Sequence, residues 1–130
     1  MKHFLLVDDD EISNFIHKRV ILSADPDAVV TEIQSSVQAI AFLNERVRSG
    51  EALPDFLFID INMPELNGFD ILQEIQNTMN AHLSGMKVYM VSSSLYDRDK
   101  ERALQFSFVN GFIEKPLSKQ GILEMIQRFS

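Results

Sequence analysis

The chain has 130 residues, 45% of them hydrophobic, which is enough for one domain with a buried core. It has no cysteine, which excludes disulfides and cysteine-based metal or redox sites and fits a cytoplasmic location. Its net charge of -7 argues against nucleic acid as a partner, because phosphate binding needs clustered lysine and arginine. A membrane is not expected as a partner either, because no apolar run approaches the roughly 18 residues of a membrane span.

Five short apolar segments alternate along the chain with segments of helical periodicity. The predicted strands are residues 3–7, 28–33, 55–59, 87–91 and 111–114. The first, third and fourth are almost continuously apolar, as is typical of central parallel strands that are covered on both faces. The second alternates between apolar and polar residues, which suits the edge of a sheet.

A helix is predicted after each strand. Apolar residues at helical spacing predict the buried stripes of four helices: Ile12, Phe15, Ile16 and Val20; Ile40, Leu43 and Val47; Phe69, Leu72, Ile75 and Met79; Ile122, Met125, Ile126 and Phe129. The segment YDRDKERALQF is mostly polar and predicts a lightly packed surface helix. The phenylalanine and methionine residues of the stripes are assigned to the core.

This alternation predicts an α/β domain in which five βα units form one parallel sheet with helices on both faces. Among doubly wound sheets, five strands favour the flavodoxin-like order 2-1-3-4-5.

Polar side chains follow four of the predicted strands: Asp8, Asp9 and Asp10 after the first, Asp60 and Asn62 after the third, Ser92 and Ser93 after the fourth, and Lys115-Pro116 after the fifth. Taken singly, each fits a helix cap, a turn, a loop hydroxyl or a solvated charge, and Asp10 is predicted to cap the first helix. Ligands of such sheets bind beyond the carboxyl ends of the strands. Together, therefore, these residues predict one site.

Three of these carboxylates define the chemistry of the predicted site. Asp8, Asp9 and Asp60 offer hard oxygen ligands that suit Mg²⁺, and without metal their crowding is expected to raise at least one carboxyl pKa. A carboxylate beside a phosphate-binding cation can act as a nucleophile and form an acyl phosphate. Lys115 would stabilise the transferring group and Ser92 would hydrogen-bond the product.

Four sequence blocks carry a family resemblance. The segments LLVDDDE, FIDINMPELNGFD, MVSS and GFIEKPL occur in this order, and with them the chain resembles the receiver domain of two-component response regulators. The resemblance implies one receiver domain over residues 1–130 without an output domain, similar to single-domain regulators of the chemotaxis or phosphorelay type. It further implies a monomeric phosphoprotein in signal transduction. Its partners would be a sensor histidine kinase or a histidine phosphotransfer protein, and a downstream protein.

The resemblance also implies residue roles at the metal and phosphoryl site. Asp60 is expected to accept the phosphoryl group from a phosphohistidine. Asp9 is expected to bind Mg²⁺ directly and Asp8 to assist, often through water. Asp60 and the backbone carbonyl of Asn62 would complete the protein ligands, and Mn²⁺ is an alternative ion.

The remaining implied roles concern the response to phosphorylation. Ser92 is expected to contact the phosphoryl group and to move inward, and Lys115 to pair with that group, with the Lys115–Pro116 bond in the cis form. Phe112 stands at the switch position, where it lacks the phenol of a tyrosine. The protein is not expected to be an enzyme beyond catalysing its own phosphorylation and dephosphorylation.

Two other classes of protein remain as alternatives. A hydrolase of the haloacid-dehalogenase type also forms an aspartyl phosphate, but it carries an Asp-x-Asp motif and a cap domain. A flavodoxin-like binding module shares the fold but needs a phosphate cradle where this chain has DDDE. The three histidines lack the spacing of metal ligands, and His17 is expected to border the surface that kinases contact.

Overall fold

The computed structural model describes residues 1–83, 85–94 and 96–129. The strands are β1 (His3–Val7), β2 (Val29–Ile33), β3 (Phe56–Asp60), β4 (Lys87–Ser92) and β5 (Val109–Glu114). The helices are α1 (Glu11–Ala24), α2 (Ser36–Ser49), α3 (Gly68–Met79), α4 (Asp97–Ala103) and α5 (Lys119–Arg128), and a 3₁₀ turn covers Asn80–His82. Within the described ranges, no helix is long and apolar enough to cross a membrane.

All five strands are parallel and lie in the order β2-β1-β3-β4-β5, which confirms the predicted topology. β1, β3 and β4 occupy the centre, where their continuous apolar sequences are covered on both faces. Because β1 and β3 are neighbours, the chain segments that follow them meet at one edge of the sheet. Asp8 and Asp9, which follow β1, are thereby brought close to Asp60 at the end of β3.

Side chains of the central strands alternate between two separate cores. Leu5, Leu57 and Met90 pack with α2 and α3, and Phe4, Phe58 and Tyr89 pack with α1 and α5. The rings of Phe4 and Phe56 stack with their centroids 4.7 Å apart. The site is therefore built on a rigid sheet edge that both cores support.

The strand boundaries differ from the prediction at the residues that matter for the site. Asp60 and Ser92 are the last residues of β3 and β4, because Asp60 pairs with Val91 and Ser92 pairs with Glu114 in the parallel ladder. β5 begins two residues earlier than predicted. There the side chain of Asn110 accepts a hydrogen bond from Val88 N at 3.0 Å, across a register irregularity that the sequence pattern does not reveal.

The predicted buried stripe of α1 was wrong at three of its four residues, since only Val20 is partly buried against the core. Ile12, Phe15 and Ile16 are exposed, whereas α1 buries Asn14, His17 and Ile21 against the sheet. These three share the helical spacing i, i+3, i+7, but two of them are polar, so a search for apolar periodicity selects the wrong face. The stripe of α3 is buried as predicted, and α4 buries only Ala103 of its seven residues, as expected for a surface helix.

Candidate functional site

Three aspartates converge at the carboxyl ends of β1 and β3. Asp8 and Asp60 are only 4% and 7% exposed, whereas Asp9 is solvent-exposed. One carboxylate oxygen from each of the three lies within 4.8 Å of the others. The nearby Asp10 instead caps α1, where its Oδ1 accepts a hydrogen bond from Ile12 N at 3.0 Å, and this confirms the predicted cap.

Asp8 is held in place by the start of α1. Its Oδ1 accepts from Asp10 N at 2.9 Å and its Oδ2 accepts from Ser13 Oγ at 2.9 Å. Its backbone carbonyl accepts from Asn14 Nδ2, also at 2.9 Å. The carboxylate orientation is therefore fixed by neighbouring hydrogen-bond donors.

Lys115 supplies the positive charge of the site. Its Nζ donates to Asp8 Oδ2 at 2.7 Å and to Asp60 Oδ2 at 3.3 Å. The Lys115–Pro116 peptide bond is cis, as the resemblance implied, and Lys115 N donates to the Ser92 carbonyl at 2.8 Å. Residues from β1, β3 and the segment after β5 thus meet in one ion-paired cluster.

The two buried carboxyl groups have opposite pKa shifts. Burial and the charge of Asp8 raise the pKa of Asp60 to about 6, against the smaller opposing effects of Asn62 N–H and Lys115. Burial also acts to raise the pKa of Asp8, but hydrogen bonds from Lys115, Asp10 and Ser13 outweigh it and lower that pKa. At least one carboxyl pKa is raised, as expected, and it is that of Asp60; burial contributes more to this shift than the crowding of the aspartates.

The pKa of Lys115 is raised. Burial alone would lower it, but the hydrogen bond to Asp8 and the charges of Asp60 and Asp8 favour the protonated amine. Lys115 therefore remains a cation at neutral pH, and it lies closer to Asp8 than to Asp60.

The loop between β3 and α3, which follows Asp60, is held by hydrogen bonds. Asn62 N donates to Asp60 Oδ1 at 3.1 Å, and Leu66 N donates to Ser36 Oγ at 3.0 Å on α2. Gly68 N closes the loop by donating to the Ile61 carbonyl at 2.9 Å. A Cβ at Gly68 would stand 2.9 Å from the Asp60 carbonyl oxygen, so this approach requires glycine.

Ser92 ends β4 next to the cluster, and Phe112 lies on the neighbouring strand β5, opposite Met90. Ser92 is buried, and its Oγ donates to the Ser94 carbonyl at 2.8 Å while it accepts from Ser94 N at 3.2 Å. The hydroxyl is thus turned toward its own loop. Phe112 is partly buried and packs against the core on the α2 and α3 side of the sheet.

A sequence model of the response regulator receiver domain matches residues 4–127. The chain belongs to the response regulator receiver domain family. Apart from His3, the match covers all five strands, and it includes every predicted site residue of this receiver domain.

Named relatives agree with this assignment. The stress response regulator protein 1 of Candida albicans is 31% identical over 117 residues, which cover 88% of this receiver domain and 38% of that protein. The chain thus spans well under half the length of that relative. The crystal structure of a two-component response regulator from Cytophaga hutchinsonii superposes with a TM-score of 0.90 at 28% identity, covering 99% of this chain and 96% of that chain.

A third comparison shows the fold alone. The crystal structure of the response regulator Rcp1 in its Mn²⁺-bound form has a TM-score of 0.69 at 20% identity, and the match covers 98% of this receiver domain and 91% of that chain.

Sequence reasoning missed three residues of α1 that support the site. Ser13 and Asn14 hold Asp8, and His17 is buried beneath the cluster. That His17 borders a surface contacted by kinases stays a prediction. Burial and the positive charge of Lys115 lower the pKa of His17. The signal in the sequence for these residues was the i, i+3 spacing of Asn14 and His17, which places both on one face of the helix that begins directly after the acidic turn.

Proposed function

We propose that this receiver domain accepts a phosphoryl group on Asp60 from a phosphohistidine of a sensor histidine kinase or a histidine phosphotransfer protein. The observation that carries the proposal is the position of Asp60. It ends the central strand β3, with Asp8 and Asp9 oxygens within 4.8 Å and Lys115 Nζ at 3.3 Å. Asp60 has a nucleophilic oxygen and an adjacent cation in one place, as phosphoryl transfer to a carboxylate requires.

The protonation state of Asp60 suits this role. With a pKa of about 6, its carboxyl is mainly ionised at neutral pH and its oxygen can act as the nucleophile. That oxygen forms a bond to phosphorus while the phosphorus–nitrogen bond of the phosphohistidine breaks, and the electron pair returns to the imidazole nitrogen. Lys115 stabilises the negative charge on the phosphoryl oxygens.

The donor set fits a divalent cation. Receiver domains bind Mg²⁺ at an acidic pocket, and here the carboxylates of Asp8, Asp9 and Asp60 with the backbone carbonyl of Asn62 are hard oxygen donors of that kind. Mn²⁺, which the Rcp1 structure contains, accepts the same ligands. When bound, the cation would offset the charge of the carboxylates and of the phosphoryl group.

Ser92, Lys115 and Phe112 would transmit the modification. Among the residues that the structure describes, the Ser92 hydroxyl bonds only to the backbone of Ser94, so it can rotate toward a phosphoryl group at the cost of two local hydrogen bonds. The Phe112 side chain would then change its packing against the core on the α2 and α3 side of the sheet. This response would switch the binding of a downstream protein, or it would precede transfer of the phosphoryl group to another protein. The receiver domain would catalyse no reaction other than its own phosphorylation and dephosphorylation.

An apolar patch on α1 supports docking of a helical partner. Ile12, Phe15 and Ile16 are 69%, 56% and 46% exposed, and they adjoin the acidic turn at Asp8–Asp10. Exposed apolar clusters of this kind mark interaction sites. Phe15→Asp is expected to slow transfer from a partner kinase while leaving the rate with a small phosphodonor unchanged; equal slowing of both reactions would reject this surface.

The central experiment follows intact mass after incubation with Mg²⁺ and acetyl phosphate. Wild type is expected to gain one base-labile phosphate, and Asp60→Asn to gain none. Asp70→Asn is the matched control, because Asp70 is an exposed acid near the same loop. A phosphate on Ser92, or an unchanged gain in Asp60→Asn, would overturn the proposal.

A further inference from the structure

A small cavity lies beneath the aspartate cluster, between α1 and the carboxyl ends of β1 and β3. Its volume is about 10 Å³. Apolar side chains of the sheet form much of its wall, but Asp8, Asn14, His17 and Asp60 also line it. The cavity therefore combines room for a very small ligand with several polar partners.

Asn14 carries an unsatisfied polar atom at this cavity. The side chain is completely buried, and its Nδ2 donates to the Asp8 carbonyl at 2.9 Å, which fixes the orientation of the amide. No donor among the described residues reaches its Oδ1. Buried amide oxygens nearly always have a partner, because an unpaired one forfeits its hydrogen bond to water without replacement.

We propose that one ordered water molecule occupies this cavity and donates a hydrogen bond to Asn14 Oδ1. A buried water needs about 10–15 Å³ and two to four polar partners. The cavity has the smallest volume in this range, and four of the residues that line it carry polar side chains. His17, which is 5% exposed, supplies a ring nitrogen on the same face of α1 as Asn14. The water joins these two side chains below the carboxylates.

The proposal makes Asn14 and His17 positioning residues for Asp8. Asn14 holds the Asp8 backbone, while Ser13 and Lys115 hold its carboxylate. With the water in place, the Asn14 amide is fixed at both of its polar atoms, and the turn between β1 and α1 is held in one position. Outer partners of this kind typically change metal affinity about 10- to 100-fold when they are removed.

The water itself is tested by a crystal structure of the wild-type protein at atomic resolution. We expect one fully occupied water within about 2.7–3.2 Å of Asn14 Oδ1 and of a second polar partner. An empty cavity, or a protein donor bonded to Asn14 Oδ1, would overturn the proposal.

Substitution of His17 tests the positioning role. This test rests on the proposed function, because it measures the affinity for Mg²⁺. His17→Phe keeps a planar ring but removes both nitrogens, so we expect it to lose the water and to bind Mg²⁺ about tenfold more weakly by calorimetric titration. His17→Gln retains a polar partner and is expected to restore both. Ile21→Val is the matched control, because Ile21 is buried on the same helix but does not line the cavity.

The possible outcomes separate the two proposals. Loss of the water in His17→Phe with an unchanged Mg²⁺ affinity would overturn the positioning role, as would equal weakening in Ile21→Val. Failure of Mg²⁺ to bind wild type would instead overturn the metal assignment of the proposed function. The electron density at Asn14 Oδ1 would still show whether the water is present.

Discussion

Lys115 Nζ lies 2.7 Å from Asp8 Oδ2, although 107 residues of chain separate the two. This ion pair is mostly buried, since the side chains of Lys115 and Asp8 are 20% and 6% exposed. Lys115 also pairs with Asp60, so one amine is shared by two carboxylates. Without it, neither carboxylate would have a cation beside it in this poorly solvated site.

Removal of the Lys115 charge is expected to destabilise the metal-free fold. Lys115→Met leaves Asp8 and Asp60 buried without a cation, and breaking such a pair costs about 3 kcal/mol or more at neutral pH. The loss should shrink as the pH falls below about 6, where Asp60 takes up a proton and one of the two buried negative charges is removed. Urea unfolding at two pH values measures this, with the exposed Lys119→Met as the control. A loss that is independent of pH would show that packing, rather than charge, is responsible.

Asp60 is expected to make the metal-free protein less stable as the pH rises. Its pKa of about 6 in the fold lies above the value of 3.8 in the unfolded chain, so between these values the folded state binds the extra proton. Stability therefore falls as the pH rises through this window, and the loss is complete above about pH 6.

Asp60→Asn removes that titration. The variant is expected to gain up to about 3 kcal/mol over wild type at pH 7.5 in the presence of a chelator, and almost nothing near pH 4. Denaturant unfolding at both pH values provides the measurement, with Asp27→Asn as the control, because Asp27 is an exposed acid in the turn between α1 and β2. The same gain at both pH values would contradict the raised pKa.

Mg²⁺ is expected to stabilise the fold, because only the folded chain brings the three aspartates together. At about 100 times its dissociation constant the gain is about 2.7 kcal/mol, which corresponds to a rise in Tm on the order of 10 °C. Asp9→Ala should nearly abolish this rise. Because Asp9 is exposed, its removal should change metal-free stability much less than Asp60→Asn does.

Melting curves at constant ionic strength, with and without Mg²⁺, distinguish a specific site from a general salt effect. Glu124→Ala is the control, since Glu124 is an exposed acid on α5. Equal shifts in wild type and Asp9→Ala would mean that the acidic cluster is not the metal site.

Gly68→Ala is expected to destabilise the protein although alanine is the better helix former. The new Cβ would lie 2.7 Å from the terminal methyl carbon of Met90 and 3.0 Å from Ile61 Cα, and relieving such overlaps costs about 1–3 kcal/mol. Gly85→Ala meets nothing within 4 Å and should change stability by less than about 0.5 kcal/mol. Equal unfolding free energies for the two variants would refute the close approach at Gly68.

The parallel sheet and the gathering of the acidic residues at one of its edges could be predicted from the sequence alone. Continuous apolar strands separated by helical segments are compatible with a parallel sheet covered on both faces, and in such a sheet the carboxyl ends of β1 and β3 meet. Asp8, Asp9, Asp60 and Lys115 could therefore be assigned to one site before any distance was known, because topology places their backbones together.

The buried face of α1 and the difference between the pKa values of Asp8 and Asp60 depend on contacts between distant parts of the chain and could not be predicted. Asn14 can be buried because the Asp8 carbonyl accepts its amide hydrogen, a partner that no periodicity reveals. Likewise, the 2.7 Å and 3.3 Å distances from Lys115 favour ionisation of Asp8 over that of Asp60. Both outcomes depend on the positions of individual polar atoms, since hydrogen bonds and charge interactions in a buried site change sharply over less than an ångström.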